Sequence, residues 1–272
     1  MINKILLAAS STGKAEEMLQ MLLKIESFQA ASITILNVMP QSRNPEQAGE
    51  QQTEAEQLLE KAKASLPAAK VTTLLRQGDA KTVVCEVADE IEADLIIMGS
   101  RGLKRLQSIL QNSVSQYVFQ LSSRSMLLVK DDIFITRINR IMVAFNSDNP
   151  SDKSLSLALE LMRDIPGGEL LLAHTGKKAG KTEPEADPVL SEAIAAAKRL
   201  NLKYRCFSQG GDPSRELCQL AESAQANLLI LDSPERRPSI AQSLPDLDRL
   251  LGASVSDYVR VNAACPVLLA RS

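Results

Sequence analysis

The sequence has no tryptophan, a single histidine and few aromatic residues, which make up 3% of its 272 residues. Without aromatic platforms on which bases can stack, single-stranded nucleic acid is a poor candidate ligand. The net charge of −2 gives no general attraction for polyanions. No apolar run approaches the roughly 20 residues that span a bilayer, so no membrane association is expected. The four cysteines are dispersed, which argues against a zinc site and predicts a cytoplasmic protein with reduced thiols.

Strand-like and helix-like segments alternate along the chain. Apolar runs from Lys4 to Ala9, from Ser32 to Val38 and from Val71 to Arg76 predict buried strands. Two more strands are predicted from Leu95 to Met98 and from Ser125 to Lys130. Strands that alternate with helices in this way predict right-handed βαβ units around a mostly parallel sheet.

Local chemistry predicts where some helices begin. The segment from Met39 to Gly49 is polar and contains two prolines, which predicts a loop before a helix that begins at Glu50. Asp79 follows a glycine and is predicted to cap a helix that runs to Glu92.

The pattern repeats after a short linker, residues 131–137. Asp94-Leu-Ile-Ile-Met returns as Asn227-Leu-Leu-Ile-Leu, 133 positions later, and Ser113-Val-Ser-Gln-Tyr-Val returns as Ser254-Val-Ser-Asp-Tyr-Val, 141 positions later. The chain is therefore a duplication of one five-stranded α/β unit, with an insertion between these two motifs in the second copy. The predicted domains are residues 1–130 and residues 138–272.

The stretch from Asp94 to Ser115 carries the strongest functional signal. A buried strand is followed by Gly99 and Gly102, then by a basic segment, and then by a helix that begins at Ser113. Glycine lets the backbone approach a ligand closely, and a helix N-terminus attracts anions. This order predicts a phosphate-binding loop at the C-terminal end of a strand, where open α/β sheets bind ligands. Taken alone, the glycines also fit a tight turn, and Arg101, Lys104 and Arg105 also fit a solvated face.

With these motifs the chain resembles the universal stress protein family in its tandem two-domain form. Gly99, Gly102 and Ser113 match the spacing of the family's nucleotide-binding motif, Gly-x2-Gly-x9-Gly-(Ser/Thr), with Asn112 in place of the third glycine. Ser10 stands where the family usually has an aspartate at the end of the first strand. The resemblance implies a first-copy nucleotide site formed by Ala9, Ser10, Val38, Met98, Gly99, Arg101, Gly102, Asn112, Ser113, Val114 and Ser115.

The resemblance also implies the fold. Each copy is expected to be a Rossmann-like, adenine-nucleotide-hydrolase-like α/β unit, with a five-stranded parallel sheet of order 3-2-1-4-5 and helices on both faces. The two copies are expected to pair within the chain like the dimer of single-domain relatives, and a homodimer of chains through the edge strands is a further possibility.

The second copy departs further from the family motif. Asp232-Ser-Pro-Glu stands where the first copy has Gly99-Ser-Arg-Gly. The acidic residues repel phosphate, and Pro234 removes an N–H donor. Asn146 takes the place of the first-strand aspartate, and Ala253 takes the place of the third glycine. We expect this second site to be degenerate.

The resemblance implies a protein that binds ATP, ADP or AMP, with or without Mg²⁺, and acts as a stress sensor or chaperone-like adaptor. No nucleophile–base pair, carboxylate dyad or metal cluster stands near the loop, so no enzyme activity is expected, and any ATP hydrolysis would be slow and incidental. Two alternatives stay open. One is a module that has lost the nucleotide site and works by protein interaction through sheet edges. The other is an enzyme of the adenine α-hydrolase kind, although the chain lacks the long catalytic additions expected there.

Cysteine and histidine side chains can have redox or catalytic roles, but their positions in this sequence do not indicate such roles. Cys85 and Cys218 occupy the same helical position in the two copies among apolar neighbours, so we expect buried small hydrophobic side chains rather than redox sensors. Cys265 precedes a proline and is expected to be structural. His174 ends the second strand of the second copy, and we expect it to be a hydrogen-bonding residue rather than a catalyst.

Overall fold

The computed structural model describes residues 2–42, 44–66, 70–100, 113–146, 152–233 and 254–271. These residues form two compact units that divide between Asp132 and Ile133, within the segment that the sequence predicts as a linker. Each unit alternates strands with helices around its own five strands. Among the helices of these described ranges, none combines the length and apolar character needed to cross a membrane.

The first unit contains five strands and five helices within the described residues. The strands are β1 (Lys4–Ala8), β2 (Ser32–Met39), β3 (Val71–Gln77), β4 (Leu95–Ser100) and β5 (Ser125–Lys130). The helices are α1 (Lys14–Leu22), α2 (Glu26–Gln29), α3 (Pro45–Ser65), α4 (Ala80–Glu90) and α5 (Val114–Leu121). The strand order is β3-β2-β1-β4-β5 and all pairs are parallel, which confirms the predicted order 3-2-1-4-5.

The second unit repeats this arrangement. Its strands are β6 (Arg140–Phe145), β7 (Glu169–Thr175), β8 (Lys203–Gln209), β9 (Leu228–Asp232) and β10 (Val267–Ala270). Its helices are α6 (Asp152–Arg163), α7 (Ser191–Arg199), α8 (Pro213–Ser223) and α9 (Val255–Asn262), with 3₁₀ turns at Pro184–Ala186 and Pro188–Leu190. The parallel strands follow the order β8-β7-β6-β9-β10.

Central strands are buried on both faces, as the unbroken apolar runs predict. Ile5, Leu6 and Leu7 of β1 are fully buried, and so are Leu95, Ile96 and Ile97 of the neighbouring β4. Consecutive residues of a strand point to opposite faces, so burial of all three in each strand requires cover on both sides of the sheet. Apolar side chains buried on both faces of the sheet are typical of parallel α/β sheets, which helices cover on both sides.

The duplication extends to the polar contacts at the strand N-termini. In the first unit the Asp94 carboxylate accepts hydrogen bonds from the backbone N–H groups of Asn3 and Lys4, at 2.7 and 2.9 Å. In the second unit the side-chain oxygen of Asn227 accepts the equivalent bonds from Asn139 and Arg140, at 3.1 and 3.0 Å. A carboxylate and an amide oxygen therefore serve the same structural purpose in the two copies.

The start of helix α3 differs from the one that the sequence predicts. The helix begins at Pro45 rather than Glu50, and the side chain of Asn44 caps it by accepting a hydrogen bond from Glu46 N–H at 3.0 Å. The prediction was wrong because Pro45 was taken as a loop residue, whereas proline is well tolerated at the first position of a helix.

The helix after Asp79 shows both a confirmed cap and a corrected end. The Asp79 carboxylate accepts a hydrogen bond from Lys81 N–H at 3.2 Å, as predicted. The helix ends at Glu90 rather than Glu92, because Glu92 adopts a left-handed φ of 52°. Such a residue is a common way for a helix to stop.

Candidate functional site

A crevice opens in the first unit at the C-terminal ends of β1, β2 and β4, with a volume of about 380 Å³. Strands β2 and β4 flank β1 on opposite sides of the sheet. The crevice therefore lies at the point where the strand order reverses. All the predicted site residues that the structure describes line it, namely Ala9, Ser10, Val38, Met98, Gly99, Ser113, Val114 and Ser115. Arg101, Gly102 and Asn112 lie outside the described residues.

Gly99 keeps the floor of the crevice open. A Cβ atom at this position would lie 3.5 Å from Ser10 Oγ, 3.9 Å from Thr12 Oγ1 and 4.0 Å from Asp131 Oδ1. Three oxygen-bearing side chains therefore surround the space that the missing side chain leaves.

The prediction that Gly99 belongs to the loop after the strand is wrong. Strand β4 continues to Ser100, so Gly99 has the extended backbone of a strand and no left-handed conformation. Gly99 contributes to the crevice because it has no side chain. The ability of glycine to adopt a positive φ is not required in this strand.

The start of helix α5 forms one wall of the crevice. Ser113 caps the helix, because its Oγ accepts a hydrogen bond from Gln116 N–H at 3.3 Å. The same Oγ lies 3.2 Å from Ser115 Oγ. Val114 and Ser115 occupy the first turn, where backbone N–H groups have no partner within a helix, and both residues line the crevice. This wall therefore offers hydroxyls and the positive end of a helix dipole to an anion.

Several residues that line the crevice were not predicted from the sequence. Thr12 lies in the turn after β1, where its Oγ1 is 3.0 Å from Ser10 Oγ. Asp131 directly follows β5 and was assigned to the linker. Ligands of open α/β sheets bind at the C-terminal ends of strands. The position of Asp131 at the end of β5 is the signal that could have identified it as a lining residue. The other missed lining residues are Ala8, Ser11, Leu36, Asn37, Ala80, Val84 and Ser100.

Glu16 lies in the first turn of α1 and is 6% exposed. Burial raises the pKa of the Glu16 carboxyl, although hydrogen bonds from the backbone N–H groups of Glu16 and Ser10 oppose the shift. Its Oε2 has no hydrogen-bond partner among the described residues. Through the hydrogen bond from Ser10 N–H, the Glu16 carboxyl connects α1 to the turn that places Ser10 in the crevice.

At the position that Gly99 holds in the first unit, the second unit has Asp232. The Asp232 carboxylate accepts a hydrogen bond from Ser154 N–H at 3.0 Å, at the start of α6. Burial raises the pKa of Asp232, although hydrogen bonds from Ser154 oppose the shift. A carboxylate thus lies where Gly99 leaves open space in the first unit, and its negative charge opposes an anionic ligand there, so the second site stays predicted as degenerate. Pro234 and Ala253 lie outside the described residues.

His174 belongs to a buried polar cluster in the second unit, which confirms its predicted hydrogen-bonding role. Its Nδ1 lies 2.7 Å from Asp187 Oδ2, and the two side chains are 1% and 4% exposed. Ser208 Oγ donates to the same carboxylate oxygen, and Val189 N–H donates to Asp187 Oδ1 at 3.0 Å. Because Ser208 bonds to the aspartate and not to the histidine, the three side chains do not have the arrangement of a catalytic triad.

The hydrogen bonds at Asp187 make stability sensitive to acid. Burial by itself raises the pKa of Asp187, but hydrogen bonds from Ser208, His174 and Val189 outweigh it, and the pKa lies below its ordinary value. A depressed folded-state pKa contributes stability above the unfolded value of about 3.9, and this contribution is lost as pH falls through the folded value.

We therefore expect the stability difference between the wild type and Asp187→Asn to be full at pH 7 and to shrink below about pH 4. The comparison is between urea midpoints of the two proteins at pH values from 7 to 3. A difference that stays constant over this range would show that ionisation of Asp187 does not matter.

The cysteines are less uniform than predicted. Cys85 and Cys218 are of intermediate exposure rather than buried, because each lies beside the buried residues of its helix. Cys265 is buried. None of the four cysteines forms a disulfide. Burial raises the pKa of the Cys206 thiol to about 11, which keeps it protonated and unreactive at neutral pH.

Together these features define a class of protein: a tandem repeat of parallel α/β units in which the first has a hydroxyl-lined crevice at its strand ends. The chain belongs to the universal stress protein family, whose model matches residues 1–130 and again residues 137–271. This double match agrees with the tandem form that the sequence predicts.

Individual relatives agree with this assignment. A curated universal stress protein of Synechocystis sp. is 36% identical over 118 residues, which cover 42% of this chain and 75% of that protein. A universal stress protein from Archaeoglobus fulgidus has a crystal structure that matches with a TM-score of 0.75 and 21% identity, over 99% of this chain and 96% of that chain. A functionally unknown protein from Pseudomonas aeruginosa PAO1 matches with a TM-score of 0.57 and 14% identity, over 99% and 92% of the two chains. At these identities the two structures share the fold with this chain.

Proposed function

We propose that the first unit binds an adenine nucleotide in its crevice. The observation that carries this proposal is the convergence of two kinds of surface on one cavity. Leu36, Val38 and Val84 give it apolar surface on the β2 side, which suits a purine ring. Ser113 and the first turn of α5 give it hydroxyls and a helix N-terminus, which suit a phosphate.

The dimensions of the crevice support the same ligand. Neighbouring parallel strands lie about 4.8 Å apart, so the ends of β2 and β4 are separated by about 10 Å across β1. A nucleoside monophosphate can extend over such a distance with its base beside Val38 and its phosphate near α5. The volume of about 380 Å³ is within the ordinary range for small-molecule sites.

We propose further that the protein acts as a stress sensor or chaperone-like adaptor, and not as an enzyme. The polar side chains that line the crevice in the described residues are hydroxyls, one amide and one carboxylate. Such groups can bind and orient a nucleotide, and we expect any ATP hydrolysis to be slow and incidental. We expect a cytoplasmic location, because none of the four cysteines forms a disulfide.

Calorimetric titration of the full chain with AMP tests the proposed ligand. We expect saturable binding of one nucleotide per chain with a Kd below about 1 mM. The matched control is Asp232→Ala, which alters the corresponding position of the second unit and is expected to leave AMP affinity unchanged. Flat titrations at millimolar AMP, ADP and ATP would contradict the proposal and favour a protein-interaction module without a nucleotide.

A further inference from the structure

We propose that Asp131 determines which nucleotide the crevice accepts, by favouring adenosine monophosphate over nucleotides with longer phosphate chains. This inference rests on the proposed function, because it concerns the same site. Asp131 is not one of the predicted nucleotide-binding residues. Its proposed effect is on the choice between nucleotides rather than on overall affinity.

The position of Asp131 is fixed by the sheet. Strand β5 pairs with β4 up to Ser100 and Lys130, and the N–H of Asp131 continues this pairing by donating to Ser100 O at 3.1 Å. The backbone of Asp131 is therefore held beside the end of β4. Its side chain is half-buried, and its Oδ1 lies 4.0 Å from the position that a Cβ of Gly99 would occupy. The carboxylate thus lies at the floor of the crevice.

The strand order places Asp131 at the end of the crevice where phosphates are expected. Along the order β2-β1-β4-β5, Val38 stands at one end and Asp131 at the other. A nucleotide with its base beside Val38 directs its phosphates toward β4, α5 and Asp131. The start of α5 can hold one phosphate group, whereas each additional phosphate brings more negative charge into the part of the crevice that contains the carboxylate.

Charge makes this position selective. Among the described residues that line the crevice, Asp131 is the only one with a charged side chain. Within this described part of the chain, no basic side chain pairs with it. Repulsion between like charges is stronger in a partly enclosed site than in bulk water. A neutral hydroxyl surface would accept AMP and ATP alike, whereas a carboxylate at the phosphate end disfavours the longer chain.

The test compares AMP and ATP binding to the full chain by calorimetry in the presence of EDTA, so that no divalent cation neutralises the phosphates. We expect the wild type to bind ATP about tenfold more weakly than AMP, a difference of about 1.4 kcal/mol. Asp131→Asn removes the charge at nearly constant volume. We expect it to tighten ATP binding about tenfold and to change AMP binding less than about threefold.

The matched control is Asp132→Asn, which makes the same change of net charge at the adjacent, exposed aspartate. It is expected to alter neither affinity. The inference is overturned if the wild type binds ATP as tightly as AMP, or if the Asp131 and Asp132 variants have the same effect. If AMP fails to bind the wild type and both variants, the proposed function fails and this inference falls with it. AMP binding without discrimination leaves the proposed function intact and rejects the inference alone.

Discussion

Replacing Gly99 with valine is expected to weaken AMP binding by about a hundredfold, or about 2.7 kcal/mol. Even the Cβ of the new side chain would lie within 4.0 Å of oxygens from Ser10, Thr12 and Asp131, and two further methyl groups would enter the crevice. Forcing extra methyl groups into a filled space typically costs about 1–3 kcal/mol. Because Gly99 has the extended backbone of β4, a β-branched residue suits the strand and the fold should be retained.

Two further variants separate loss of the site from loss of the fold. Gly99→Ala adds only a Cβ at ordinary contact distance from Ser10 Oγ, 3.5 Å, so AMP affinity should fall by less than about tenfold. Gly49→Val makes the same change of residue type within α3, where a Cβ has nothing within 4 Å, and should leave AMP binding unchanged. The measurement is calorimetry on each variant after its urea midpoint has been determined. If the Gly99→Val protein is folded and binds AMP with wild-type affinity, then the nucleotide does not bind beside Gly99.

Replacing Asp187 with alanine is expected to lower the free energy of unfolding of the second unit by about 3 kcal/mol, because it leaves buried hydrogen-bond donors without their acceptor, at about 1–3 kcal/mol each. The carboxylate accepts hydrogen bonds from His174, Ser208 and Val189. Without it, the His174 side chain, 1% exposed, loses this partner in a site that water does not readily reach. The contacts also join the segment before α7 to the ends of β7 and β8, so their loss affects the edge of the unit as a whole.

Urea denaturation followed by far-ultraviolet circular dichroism measures this effect, and Asp132→Ala provides the control. Asp132 is exposed, and its replacement should change the free energy of unfolding by no more than about 0.5 kcal/mol. Since the chain divides into two compact units, the transitions are best fitted with one step for each unit. A change below about 1 kcal/mol for Asp187→Ala would show that the cluster contributes little to stability.

The predictions that succeeded depend on short-range chemistry. An aspartate after glycine at Asp79, and a serine before a helical pattern at Ser113, act as N-caps because a cap needs only the residues that follow it. Pro45 shows the limit of such reasoning, because the same residue type can break a helix or begin one. The choice at Pro45 was decided by the hydrogen bond from Glu46 to Asn44.

The candidate site was predicted only in part, because its residues come together from the ends of different strands. The family motif located Gly99 and Ser113, but it did not reveal that Gly99 belongs to a strand or that Thr12 and Asp131 surround it. His174, Asp187 and Ser208 are likewise distant in sequence, and their pairing follows from how β7, β8 and the connecting segment pack.

The sequence by itself determined the duplication, the alternation of strands and helices, and, through the family resemblance, the strand order of each unit. These properties follow from hydrophobic periodicity and repeated motifs, which act over a few residues at a time. Only the tertiary structure decided which side chains face the crevice and that Asp131 lies beside Gly99. Such contacts depend on strand register and on where each strand ends, and both are set by packing between segments far apart in the chain.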